Sequence, residues 1–215
     1  IMGCDVHMYV EKYNNNTKSW ESVGKKFPNT YAIEKIIKFM SHHLGTNRTE
    51  SSELVLKFLL GEKPKNKFEH HVLTEFLPNE IPTEDEGTNW WDDGKLPYPY
   101  TDTPYQGRNY SLFGVLAGVR DSGNHMDKIV DWERGLPDDV SSDICSLSDE
   151  WGIDGHSHNH IYMDELINSK YYTMSEKELE ELGLHTHFFN DTINTILHFV
   201  GGDPKDIRLV FWFDN

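Results

Sequence analysis

At 215 residues, 37% of them hydrophobic and 26% charged, the chain is long enough for one substantial core and is read as a single domain, 1–215. Acidic residues outnumber basic ones 36 to 20, and the formal charge of −16 argues against non-specific duplex nucleic acid as a partner, since such surfaces need clustered Lys and Arg. Cys4 and Cys145 are too few for a disulfide framework, and no apolar leader or membrane-spanning run is visible, so a reducing cytoplasm is expected.

Residues 3–13, GCDVHMYVEKY, alternate apolar and polar in the strand manner; NNNTK supplies turn chemistry, and SWESVGKKF resumes an extended pattern. A hairpin is predicted there. From Asn29, Ala32, Ile33, Ile36, Ile37 and Met40 recur at helical spacing up to Gly45. A second helix is expected from Ser52 to Gly61 and a weaker one over 67–76. Residues 82–107, PTEDEGTNWWDDGKLPYPYTDTPYQG, hold no sustained period and read as a long acidic and aromatic loop, either a lid, a docking surface or a satellite cluster on the core.

RNYSLFGVLAGVRD, 108–121, reads as a helix burying Leu112, Phe113, Leu116 and Val119, with Arg108 and Arg120 at its flanks. Arg134 follows in a Gly- and Pro-marked turn. Further helices are expected over 142–151, 163–169, 175–182, where Ser175 and Glu178 form a capping-box pattern, and 186–200. IRLVFWF has the composition of a buried strand. Strands near both ends of the chain with helices between predict an α+β fold whose antiparallel-rich sheet contains both terminal strands.

Two motifs carry chemistry. In the stretch DGHSHNH the histidines 156, 158 and 160 alternate, so an ideal strand would turn all three to one face. In GCDVHMYVE, Asp5, His7, Tyr9 and Glu11 share one strand face while Cys4, Val6, Met8 and Val10 share the other. A carboxylate and an imidazole two residues apart suit joint capture of a divalent ion. The bland alternative is that these histidines satisfy Asp and backbone groups inside the protein. His42-His43 and His70-His71 are sequence neighbours in helical segments, where directions diverge by about 100 degrees, which disfavours shared ligation. His187 and Asp191, at i and i+4, read as a surface pair.

In local chemistry, Asp5-Val6-His7, Gly123-Asn124-His125 and Gly155-His156-Ser157-His158 resemble, in order, motifs of calcineurin-like metallophosphoesterases. An intervening Gly-Asp and an acid after Asn-His are missing, and no apolar strand precedes Asp5. The likeness is of local chemistry and not of membership. A resemblance covering nearly the whole chain runs through MGCDVH, RNYSLFGVLAGVR, RGLPDDVS, DGHSH and VFWFDN. These look like an uncharacterised family of tailed phages and bacteria whose members open with Met-Gly-Cys-Asp-Ile-His and end in Phe-Asp-Asn. That resemblance implies a small cytosolic, virus-encoded protein. After the shared DGHSH this chain departs from the pattern, with His160-Ile161-Tyr162 where Trp-Leu-Thr is usual.

The expected function is a metal-dependent hydrolase, a phosphodiesterase or nuclease, acting on a phosphodiester or nucleotide. Asp5, His7, Asp154 and His156 would hold a divalent metal ion, with His158 as general acid or base. Arg108 and Arg134 would fix a small anionic substrate through forked hydrogen bonds. The rival expectation is a non-enzymatic phage protein that blocks a host factor or sequesters a small nucleotide, using aromatic anchors in an acidic rim.

Overall fold

The structure, a computed structural model, describes residues 4–29, 100–105, 107–120 and 127–214, together with scattered positions between 33 and 67. The chain groups into two compact units, 1–27 with 102–215, and 28–101. In the second unit, positions 33, 34, 37, 38 and 41 are helical, with Ile33 and Ile37 buried one turn apart. They fall on the helix expected after Asn29. Leu54, in the segment expected to form the next helix, is also helical and buried. The expected helix 67–76 beyond its first residue, the loop residues 82–99 with 106, the Gly123-Asn124-His125 motif and both adjacent histidine pairs lie outside the described residues.

The first unit is built from β1 (Val6–Asn14), β2 (Ser19–Ser22), α1 (Tyr110–Ala117), α2 (Ser142–Trp151), β3 (His156–Tyr162), α3 (Met163–Ile167), α4 (Lys170–Thr173), α5 (Glu176–Glu181), α6 (Ile193–Val200) and β4 (Ile207–Phe213). One antiparallel sheet runs in the order β2-β1-β4-β3. The fold is therefore α+β, with the first and last strands paired at the centre of the sheet. The hairpin closes where Asn14 Oδ1 accepts the Asn16 N–H at 2.9 Å and Lys18 takes a left-handed φ of 56°.

Both faces of this sheet are covered, which explains why β4 is buried at every position instead of alternating. On one face Cys4, Val6, Met8, Val10, Leu209, Phe211, Phe213 and Ile161 meet the apolar sides of α1, α3 and α6. On the other, Tyr9, Val210 and Trp212 pack against Ile144, Leu147 and Trp151 of α2. The polar face expected for β1 is thus an interior surface too. Glu11 and Arg208, opposed across β1 and β4, are fully buried there as an ion pair of 2.6 Å.

Helix ends follow local chemistry. Asn109 Oδ1 accepts the Leu112 N–H at 2.7 Å, so α1 starts at Tyr110 and leaves Arg108 outside the helix. Gly118 ends it at φ 67°. Ser175 and Glu178 cap α5 reciprocally, as their spacing predicts. The expected 163–169 helix stops at Ile167 and a separate α4 follows, because Ser169 takes an extended backbone between them. The expected 186–200 helix opens with a π-helical turn, Phe188–Thr192, before α6.

Candidate functional site

The strand pairing decides which candidate residues meet. β1 and β3 do not pair with each other; each flanks β4, so His7 lies opposite Trp212 and His156 lies opposite Phe213. All three strands bring their ends to Asp214, the residue after β4. The Asp5 N–H donates to Asp214 Oδ1 at 2.7 Å and the Asp214 N–H donates to the Asp5 carbonyl at 3.2 Å. His7 Nε2 stands 3.2 Å from Asp214 Oδ2, and His156 Nε2 stands 3.3 Å from the Asp214 carbonyl oxygen. Asp214 is the residue that sequence reasoning missed as a site member. Its signal was the acid closing the apolar and aromatic run Leu209–Phe213.

Arg108 grips Asp5 by a fork, with Nε donating to Oδ1 at 2.7 Å and Nη2 donating to Oδ2. This hydrogen bond holds the Asp5 carboxyl below its ordinary range, against a small opposing effect of burial. Both side chains of the pair are about half exposed, at 50% and 51%. His7 and Asp214 are more enclosed, because Trp151 of α2 lies across the His7 ring with centroids 3.9 Å apart.

The histidines of β3 are divided by a β-bulge. Ser157 adopts a φ of 52°, and the register shifts between His156 and Asn159, so that two residues of β3 face Trp212 alone. His156 therefore joins the face of its partner Phe213, with rings 6.2 Å apart, whereas His158 stacks on Trp212 at 5.7 Å. The expected single wall of three histidines is corrected accordingly, since strict alternation fails at a bulge. His158 Nε2 is 2.9 Å from the Ser148 hydroxyl of α2, and burial, followed by the charge of His156, pushes its pKa below the ordinary value. His160 Nδ1 is 2.9 Å from the Gly135 carbonyl oxygen.

At Gly155 the chain passes close to two tryptophans. A Cβ at that position would stand 3.0 Å from Trp151 Cβ and 3.5 Å from Trp212 Cδ1. Trp212 Nε1, on the same edge of the indole, is buried without a hydrogen-bond partner among the described residues.

The other candidates go elsewhere. Asp154 is exposed in the turn before β3, where its N–H donates to the Trp151 carbonyl at 3.0 Å. Arg134 forks onto Glu165 at 2.8 and 2.6 Å, next to Tyr162, at the end of β3 remote from His156. That end is roughly 20 Å from His156 along an extended strand. His187 and Asp191 form the expected surface pair, 2.7 Å apart and both exposed. Cys4 is buried on the apolar face, and burial raises its thiol pKa.

Asp5, His7, His156 and Asp214, with Arg108, are thus the candidate residues brought together. As the side chains lie, no three His, Cys, Asp or Glu among the described residues form a group able to hold a metal ion. No helix among the described residues is long and apolar enough to cross a membrane. Comparison of the chain with protein-family models, with curated proteins and with solved structures finds no match.

Proposed function

We propose that the cluster around Asp214 is the divalent-metal centre of a hydrolase acting on a phosphodiester or nucleotide. One observation carries this reading: the Asp214 carboxylate, at a partly exposed end of the sheet, meets the His7 imidazole and the Asp5 N–H, and its main-chain carbonyl meets His156. His7, His156, Asp214 and Asp5 would hold the ion, and their mixed nitrogen and oxygen chemistry would suit zinc, manganese or iron. The 3.2 Å between His7 Nε2 and Asp214 Oδ2 matches the spacing of about 3 Å between two ligands that share one ion. The ion would lower the pKa of a bound water toward neutrality and offset charge on the phosphoryl group, which Arg108 would orient.

A second reading, a non-enzymatic phage protein that binds a host factor or retains a nucleotide, is favoured by a different observation. Asp5, His7, His156 and His158 each already have a protein hydrogen-bond partner. Elemental analysis of protein purified without chelator, with a bis(4-nitrophenyl) phosphate assay under added Mn²⁺ or Zn²⁺, separates the two. The hydrolase reading expects stoichiometric metal and a loss of at least about 100-fold in activity for H7A and D214N. Metal-free, inactive protein that added ions do not rescue overturns it.

A further inference from the structure

We propose that Asp154–Gly155 is a site of spontaneous backbone modification, where the chain closes a succinimide and reopens as an isoaspartyl linkage. The inference uses no metal and stands whether or not the sheet end holds an ion. Among the described residues Asp154 is the one aspartate followed by glycine. It is exposed in the turn between α2 and β3, and among the described residues its carboxyl is held by neither a hydrogen bond nor an ion pair. Asp5, Asp131 and Asp191, by contrast, are held by Arg108, Lys128 and His187. The turn is open to water, since the neighbouring Ile153 is 99% exposed.

The step needs only the chain and water. The Gly155 main-chain nitrogen attacks Asp154 Cγ, its proton and the carboxyl hydroxyl leave together as water, and a five-membered imide results. Gly155 has no Cβ to shield that nitrogen. No described residue accepts a hydrogen bond from its N–H, so no native bond among them has to break before the attack. A water molecule then adds to one imide carbonyl. Addition at Cγ breaks the new bond and restores aspartate. Addition at the Asp154 main-chain carbonyl breaks the original peptide bond and leaves Gly155 joined through Cγ, with the old carbonyl carbon now a free carboxylate.

The product carries one extra methylene, about 1.5 Å of chain, into β3. The structure has little slack for it. A Cβ on Gly155 would already meet Trp151 Cβ at 3.0 Å and Trp212 Cδ1 at 3.5 Å, and the next residue is His156, whose Nε2 stands 3.3 Å from the Asp214 carbonyl oxygen. Pairing of His160 with Val210 and of Ile161 with Leu209 fixes the strand further on, so the added length is taken up at His156 and the Ser157 bulge. His156 therefore leaves Asp214, while His160 keeps its contact with the Gly135 carbonyl.

The test keeps folded wild type and D154E in heavy-oxygen water at neutral pH for weeks, then maps their peptides by mass spectrometry after digestion in ordinary water. Each hydrolysis of the imide puts one heavy oxygen into the peptide holding residues 154 and 155, and the isoaspartyl form resists a protease specific for aspartate. Wild type should gain both signatures. D154E, whose carboxyl would have to close a larger and slower-forming ring, should gain neither. The map keeps apart the other Asp-Gly pair, Asp93–Gly94, which lies outside the described residues. In the aged fraction of wild type the imidazole NMR signals of His156 should shift and those of His160 should stay. An unlabelled 154–155 peptide in folded wild type, or the same label in D154E, overturns the proposal. An isomerised chain with unmoved His156 signals overturns the coupling to β3.

Discussion

Removing the buried guanidinium of Arg208 should destabilise the fold more than any change at the candidate site. Arg208 donates from Nε to Glu11 Oε2 at 2.6 Å, from Nη1 to Asp139 Oδ1 at 2.7 Å and from Nη2 to the Asp139 carbonyl at 3.1 Å. Its guanidinium lies 4.1 Å from the centroid of the Trp20 ring. Glu11, fully buried, accepts one further hydrogen bond, from the Ser141 N–H at 2.6 Å. In R208M the methionine fills part of the volume but strands the Glu11 carboxylate with that single donor. An uncompensated buried charge costs about 3–5 kcal/mol, a large share of the roughly 5–15 kcal/mol that holds a domain together. Tm should fall by about 6–20 °C.

Charge and packing are separated by a second variant. E11Q/R208M keeps an acceptor for the Ser141 N–H and removes the stranded charge, so it should recover about 1–3 kcal/mol relative to R208M. Urea unfolding followed by tryptophan fluorescence reads both changes, with the slope checked for constancy. R208M within about 1 kcal/mol of wild type, or a double variant no more stable than R208M, would refute the reasoning.

Two further outcomes follow from the geometry. In G118A a Cβ would stand 2.7 Å from Trp132 Cε3 at a φ of 67°, and the indole is tethered by its N–H to the Val115 carbonyl at 3.2 Å. Steric overlap and left-handed strain together should cost about 2–5 kcal/mol in chemical denaturation, and a loss below about 0.5 kcal/mol would show that the ring moves aside freely. His158 is held below its ordinary pKa of 6.5, so in this region the unfolded chain binds more protons than the folded one. Stability is therefore complete above that value and declines as pH falls through it. H158Q should flatten the decline between pH 7 and 5 when unfolding is followed across that range; an unchanged slope would assign it to other groups.

Much of the architecture was legible because it rests on local periodicity. The alternation in GCDVHMYVE correctly separates Cys4, Val6, Met8 and Val10 from Asp5, His7, Tyr9 and Glu11. The capping pair Ser175 and Glu178 and the bounds of α2 were likewise readable from neighbours in the chain. The candidate site was half legible. Asp5 pairs with Arg108, and His7 and His156 reach Asp214 at its side chain and its main chain, while Asp154 and Arg134 face other ways, because a residue type at a plausible spacing says nothing about where the strand end points.

What the amino-acid order determined by itself is the set of elements and the two faces of β1, since these depend on side-chain directions repeating every two or 3.6 residues. The tertiary structure alone decided that β4 lies between β1 and β3, which makes Asp214 the meeting point of all three strand ends. It alone turned the polar face of β1 into an interior surface beneath α2, and placed a bulge at Ser157 that parts His156 from His158. Each of these depends on pairing between segments far apart in the chain, where the energy lies in burial and hydrogen-bond satisfaction and not in any local preference.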